Sequence, residues 1–206
     1  MPGRIDAMVA FAASCLLALA ISACAGGSAV DGESDDLPGD EGHADSNYTA
    51  SSCERTRAAL SGAAGTAVRQ QMLERAYRWL DASVSYDQTK SYKAPGDAKA
   101  YRTDCSGFIS MAWSLSKSLN TSAFGQSSGS RRLTSMEALQ PGDALLHPKT
   151  SREPYAHIML FAGWEDDEHE QLCAIQMLDT ENDMVMSPYN ADLLGTAWIP
   201  VRKPGL

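Results

Sequence analysis

Asp104-Cys105-Ser106-Gly107-Phe108 is the stretch from which the fold can be read outward. Phe108, Ile109, Ala112 and Leu119 follow the cysteine at helical spacing, which predicts a helix that begins at Cys105. Asp104 suits the N-cap, because its carboxylate can accept the first free amide hydrogens. A thiolate in the first turn is stabilised by those amides and by the positive end of the helix dipole. The charge of Asp104 opposes this, raising the thiol pKa unless the amides absorb it. Gly107 leaves little bulk, so a second backbone can approach the sulfur closely. A cysteine at a helix start is otherwise a small buried apolar residue, so the surrounding elements decide between the two.

Upstream, Thr66 to Ala82 places Val68, Met72, Leu73, Ala76, Tyr77 and Leu80 on one face of a predicted amphipathic helix, with Glu74 and Arg78 paired four apart. Tyr86 to Arg102 is polar, is broken by Pro95-Gly96, and reads as a loop. Downstream, Gly125 to Ser130 reads as a flexible surface loop or lid. Pro141-Gly142-Asp143 signals a turn ahead of a short strand, Ala144-Leu145-Leu146. His157-Ile158-Met159-Leu160-Phe161-Ala162 is apolar on both alternating faces and predicts a central strand. An acidic turn, Glu165 to Glu170, leads to a returning strand from Leu172 to Leu178, and Met184 to Met186 and Ala197 to Val201 predict two more. Helices first and antiparallel strands afterwards indicate an α+β domain. The expected arrangement is a cysteine-bearing helix packed on a sheet of about five or six strands.

The first 24 residues read as an export signal: Arg4, a short apolar core from Met8 to Ala20, then Ile21-Ser22-Ala23-Cys24. The core is too short for a spanning helix, which needs about 20 apolar residues. The last four residues resemble a bacterial lipobox, so residues 1–23 are expected to be removed and Cys24 acylated. Cys15 lacks an aliphatic residue three positions earlier and is a poor rival. Two acyl chains would hold the protein at a membrane surface. Residues 24–47 then form an acidic tether with seven Asp or Glu and no Lys or Arg, out of a net charge of −9 for the chain. Low hydrophobicity and like charges predict disorder there. Without a basic patch, no nucleic-acid role is indicated. Residues 48–206 are long enough for one domain with its own core.

Cysteine catalysis needs a base for the thiol proton and a third group to orient that base. His157 starts the central strand. His147 ends the preceding strand and is the rival base, although Pro148 suggests that the chain leaves the sheet there. His169 lies in the acidic turn and His43 in the tether, both expected to be solvated. No metal-ligand spacing is present, and no metal or organic cofactor is implied.

Asp104-Cys105-Ser106-Gly107-Phe108, Leu139-Gln140-Pro141-Gly142-Asp143-Ala144-Leu145 and His157-Ile158-Met159-Leu160-Phe161-Ala162-Gly163, in that order, resemble the motifs of NlpC-like cysteine peptidases. These are bacterial cell-wall hydrolases with a papain-like core, and the resemblance spans roughly Met72 to Arg202. It implies Cys105 as nucleophile, His157 as base, and a polar third residue on the next strand. If the acidic turn spans about four residues, Trp164 pairs with His169 and His157 lies opposite Gln176. Asp179 competes, although its odd offset puts it on the other face unless a bulge intervenes. Tyr86 resembles a site-lining tyrosine of the family, which implies that it assists the Cys105 amide at an oxyanion, with Asp104 and Ser106 lining the site; an aromatic core residue is the other reading of Tyr86. The Gly-Gly usual after this tyrosine is replaced by Asp87-Gln88-Thr89-Lys90.

Three cysteines remain in the domain: Cys53, Cys105 and Cys173. A Cys53–Cys173 disulfide, permitted outside the cytoplasm, would leave Cys105 as a thiol. The expected function is a membrane-anchored, extracytoplasmic peptidase that cuts peptidoglycan stem peptides, commonly next to γ-linked D-glutamate, and acts as a monomer. Ala25 is compatible with an outer membrane where the host has one. The alternatives are a wall amidase or acyltransferase with the same dyad, and a non-catalytic wall-binding lipoprotein.

Overall fold

The apolar run that starts at His157 has no polar face, and in the computed structural model it is an inner strand covered on both sides. The structure describes Cys53, Thr56, Arg57 and residues 66–206 apart from Glu153; the signal, Cys24 and the tether lie outside these residues. Helix α1 (Ala67–Asp81) is followed by strands β1 (Asp87–Tyr92) and β2 (Tyr101–Thr103), helix α2 (Cys105–Ala112) and the single turn α3 (Thr121–Phe124). The rest is mostly sheet: β3 (Arg131–Arg132), β4 (Ala144–His147), β5 (His157–Trp164), β6 (Gln171–Met177), β7 (Met184–Asn190), the turn α4 (Ala191–Leu194) and β8 (Ile199–Arg202). The fold is α+β, with a six-stranded antiparallel sheet in the order β3-β8-β4-β5-β6-β7.

One sheet face carries Leu146, Ile158, Leu160, Ala162, Ile175 and Met177 against α1 and α2; the other carries Leu145, Met159, Phe161, Leu172 and Ala174 under Leu139, Leu194 and Trp198. Burial on both sides explains why β5 lacks the alternation of a half-exposed strand. All eight residues of α2 are buried. The helix stops earlier than its apolar spacing predicts. Ser114 turns to φ 52°, and the Leu115 and Ser114 amides bond to the Ser110 and Met111 carbonyls. This is a Schellman closure, and it leaves Leu119 beyond the helix.

Three other expectations are corrected. Tyr86 to Arg102 is not a plain loop but contains the β1–β2 hairpin. Its first strand is mostly exposed and polar, so it shows no apolar alternation to read. In α1, Val68 is 44 % exposed, while Arg69 turns inward to Asp143. Arg78 is engaged by Asp97 at 2.9 Å instead of the expected Glu74 pairing. The Gly125–Ser130 stretch is a closed set of turns, not an open lid: the Ser130 hydroxyl donates to the Phe124 carbonyl, and a β-carbon at Gly129 would lie 2.1 Å from the Ala123 carbonyl oxygen.

Asp143, in the turn ahead of β4, ties the layers together. It is fully buried and accepts from Arg69 of α1 at 2.9 Å and from Arg202 of β8 at 2.6 Å and 2.8 Å. Gly142 enters that turn at φ +90°, a conformation that costs glycine little. Cys53 is joined to Cys173 of β6 by a disulfide, and Cys105 is a free cysteine.

Candidate active site

Helix α2 begins where its sequence predicts, with Asp104 extended (φ −127°, ψ 174°) and its carboxylate accepting the Gly107 amide at 2.6 Å. Cys105 therefore sits in the first turn, 7 % exposed. Its sulfur lies 3.8 Å from the Thr121 hydroxyl at the start of α3. Burial pushes the Cys105 thiol up, and the charge of Asp104 adds to this; the Thr121 hydroxyl and the amides of Ile158 and Ser106 pull the other way. The sulfur is thus set against the backbone of β5 one residue beyond His157.

The close backbone approach expected at Gly107 is made by Arg102, on the flank of the helix and not at the sulfur. A β-carbon at Gly107 would lie 2.0 Å from the Arg102 carbonyl oxygen. The Arg102 side chain turns back over the cap. Its Nε donates to Asp104 Oδ2, and its terminal nitrogen donates to Asp104 Oδ1 at 3.2 Å, to Ser106 Oγ at 2.9 Å and to the Leu119 carbonyl at 2.9 Å. The Ser106 hydroxyl also donates to Asp104 Oδ1 at 3.0 Å. Asp104 and Ser106 are buried in this cap, and their side chains hold the helix start.

His157, the first residue of β5, shares the sheet face of Met159 and Phe161. Its Nε2 is 2.7 Å from Gln176 Oε1 on β6, and the Gln176 amide nitrogen donates to the Tyr189 hydroxyl on β7. The contact does not come from the expected register. Trp164 pairs with Leu172, and an irregularity between Phe161 and Gly163 shifts the ladder so that Leu160 pairs with Ile175. Extended by one pair past Leu160–Ile175, that register would set Met159 opposite Gln176, with His157 one diagonal away. An even offset preserves the face, and diagonal neighbours remain within reach of long side chains.

His147, the rival base, is the cross-strand partner of His157. It is buried, stacked on Tyr155 at 4.7 Å and edge-on to Trp198 at 5.3 Å. Trp198 in turn meets the His157 ring edge-on at 6.0 Å. His169 is not simply solvated: it stacks on Trp164 at 4.5 Å, and its Nδ1 is 2.6 Å from Glu137 Oε2. Asp179 caps the β6–β7 turn and accepts the Glu181 and Asn182 amides at 2.8 Å. Partial burial works against its charge, but those amides and the nearby His157 hold its carboxyl below the ordinary value.

Tyr86 precedes β1, and its amide is held by Asp183 at 2.7 Å. Its hydroxyl accepts from Gln88 at 2.9 Å. Burial raises its pKa, the Gln88 hydrogen bond works against this, and the charges of Cys105 and Asp104 raise it further. Arg102, Thr121, Tyr189 and Trp198 are neighbours that sequence reasoning missed; Arg102, two residues before the quoted motif, was the most accessible of them. Among the described residues, no group of three or more His, Cys, Asp or Glu could hold a metal ion, and no helix is long and apolar enough to cross a membrane. No protein-family model, curated protein or solved structure matches this chain.

Proposed function

We propose that this chain is a membrane-tethered cysteine peptidase with an NlpC-like, papain-like core that cuts peptide in the bacterial cell wall. The observation that carries the reading is the 2.7 Å contact between His157 and Gln176, at the strand end where the Ile158 amide meets the Cys105 sulfur. When Gln176 accepts the Nε2 hydrogen, the neutral imidazole has its lone pair on Nδ1, the nitrogen that takes the thiol proton. Cys105 then attacks the amide carbonyl carbon, and His157 returns the proton to the departing amine. The thioester is hydrolysed by water that His157 deprotonates. The Cys105 amide and the Tyr86 hydroxyl stabilise the oxyanion. The polymeric wall beside the membrane suits an enzyme tethered through Cys24.

One observation favours a second reading, a non-catalytic wall-binding module: the thiol is 7 % exposed and burial raises it. The full chain in detergent, incubated with purified peptidoglycan beside Cys105→Ala, separates the two. Stem-peptide fragments in mass spectra that vanish with the variant are expected, and their ends would distinguish a peptidase from an amidase. Co-sedimentation without fragments from several wall chemotypes would sink the peptidase reading.

A further inference from the structure

The helix cap that positions Cys105 has an electrostatic cost. The Asp104 carboxylate accepts the Gly107 and Ser106 hydrogens, and its charge sits next to a sulfur that works as a thiolate. Arg102 meets that carboxylate through two nitrogens, and its remaining contacts, to Ser106 Oγ and the Leu119 carbonyl at 2.9 Å each, fix the guanidinium in place. Asp104 in turn holds the arginine firmly in its charged form. We propose that Arg102 is a positioning residue of the nucleophile: it holds the Asp104 carboxylate on the cap of α2 and offsets its charge beside the Cys105 sulfur. The proposal rests on Cys105 being a nucleophile.

The other polar and charged groups of the site have partners of their own. Thr121 of α3 lies 3.8 Å from the sulfur, the Tyr86 hydroxyl accepts from Gln88, His157 of β5 is held to Gln176, and Asp179 caps the β6–β7 turn. Of these, Asp179 is another carboxylate, and the turn amides already hold its charge. Asp104 is the carboxylate adjoining Cys105 in the chain, and Arg102 is the cation bound to it.

The test is the pH dependence of Cys105 alkylation by iodoacetamide in the full chain, read by mass spectrometry of the peptide that carries Cys105. Arg102→Gln should alkylate about tenfold more slowly near neutral pH, with its titration displaced upward by about one unit. Arg102→Lys, which keeps the charge but not the fork, should stay within about threefold of wild type. Arg102→Gln with Asp104→Asn, which retains a capping side chain, should return most of the lost rate, because the charge to be offset is gone. Wild-type alkylation in Arg102→Gln, or no recovery in the double variant, would overturn the proposal. If glutamine unfolds the domain, a tenfold loss in Arg102→Lys, or a double variant that folds and alkylates as slowly, does the same. These readouts do not depend on wall cleavage. Coupled titrations in a chain that releases no wall fragments would refute the peptidase reading and leave the role of Arg102 standing.

Discussion

A β-carbon at Gly107 meets backbone, the Arg102 carbonyl, which cannot swing aside as a side chain can. Gly107→Ala should therefore destabilise the domain by about 3 kcal/mol. Gly96→Ala, at φ +88° in open space, should cost only about 1 kcal/mol. Thermal melts of both variants check the contrast. The Gln176 contact predicts a single imidazole tautomer. Nitrogen NMR of His157 should find the proton on Nε2 in wild type and a mixture in Gln176→Ala, together with wall cleavage reduced by about a hundredfold. Cys105 also links stability to pH. Its folded pKa is raised by burial, so above the unfolded thiol value, about 8.5, the native state binds more protons than the unfolded chain. Stability must then fall as pH rises through that window. Urea melts between about pH 7 and about pH 10 should show a falling midpoint that is flatter in Cys105→Ala. A residual fall higher up is expected from Tyr77, which burial pushes up to about 12.

Among the elements, those with strong apolar patterning could be read from sequence: α1 and the β5–β6 hairpin agree closely with their expected spans, and α2 starts where expected but ends at Ala112, short of Leu119. The missed hairpin β1–β2 is held less by its own residues than by neighbours. Asp97 at its turn takes bonds from Arg78 and Trp79 of α1, contacts that no local pattern displays. The same holds at the site. Cys105 and His157 stand at element starts, where sequence signals are strongest, whereas Thr121 and Tyr189 reach their partners only through tertiary packing. In the sequence the Pro141-Gly142-Asp143 turn is only punctuation, but its aspartate binds arginines 74 residues before it and 59 residues after it. Asp143→Asn should cost about 3–5 kcal/mol, since it leaves the buried Arg69 and the partly buried Arg202 guanidinium groups under-compensated. Asp81→Asn, which loses an exposed pair with Arg57, should cost less than about 1 kcal/mol. Paired urea titrations would show the difference.

At the scale of the molecule, the Cys53–Cys173 bridge closes a loop across a sequence separation of 120 residues. In the chain-entropy description, such a closure stabilises by about 5 kcal/mol. The Cys53→Ser, Cys173→Ser double variant should lose stability of that order while keeping the Cys105 thiol, which melts with and without reductant would reveal. The bridge also has a mechanical meaning. Both Cys105 and His157 lie inside the covalent ring, and the sulfur anchor sits on β6, an inner strand with paired neighbours on each side. Tension on the chain ahead of Cys53 is handed to β6 through the sulfurs and bypasses the polypeptide between them. In a pulling experiment on the oxidised protein, the folded part beyond the ring, Ala174 to Leu206, can pay out only about 110–120 Å of slack. Cys105 and His157 stay within a loop that no pull on the chain ahead of Cys53 can lengthen.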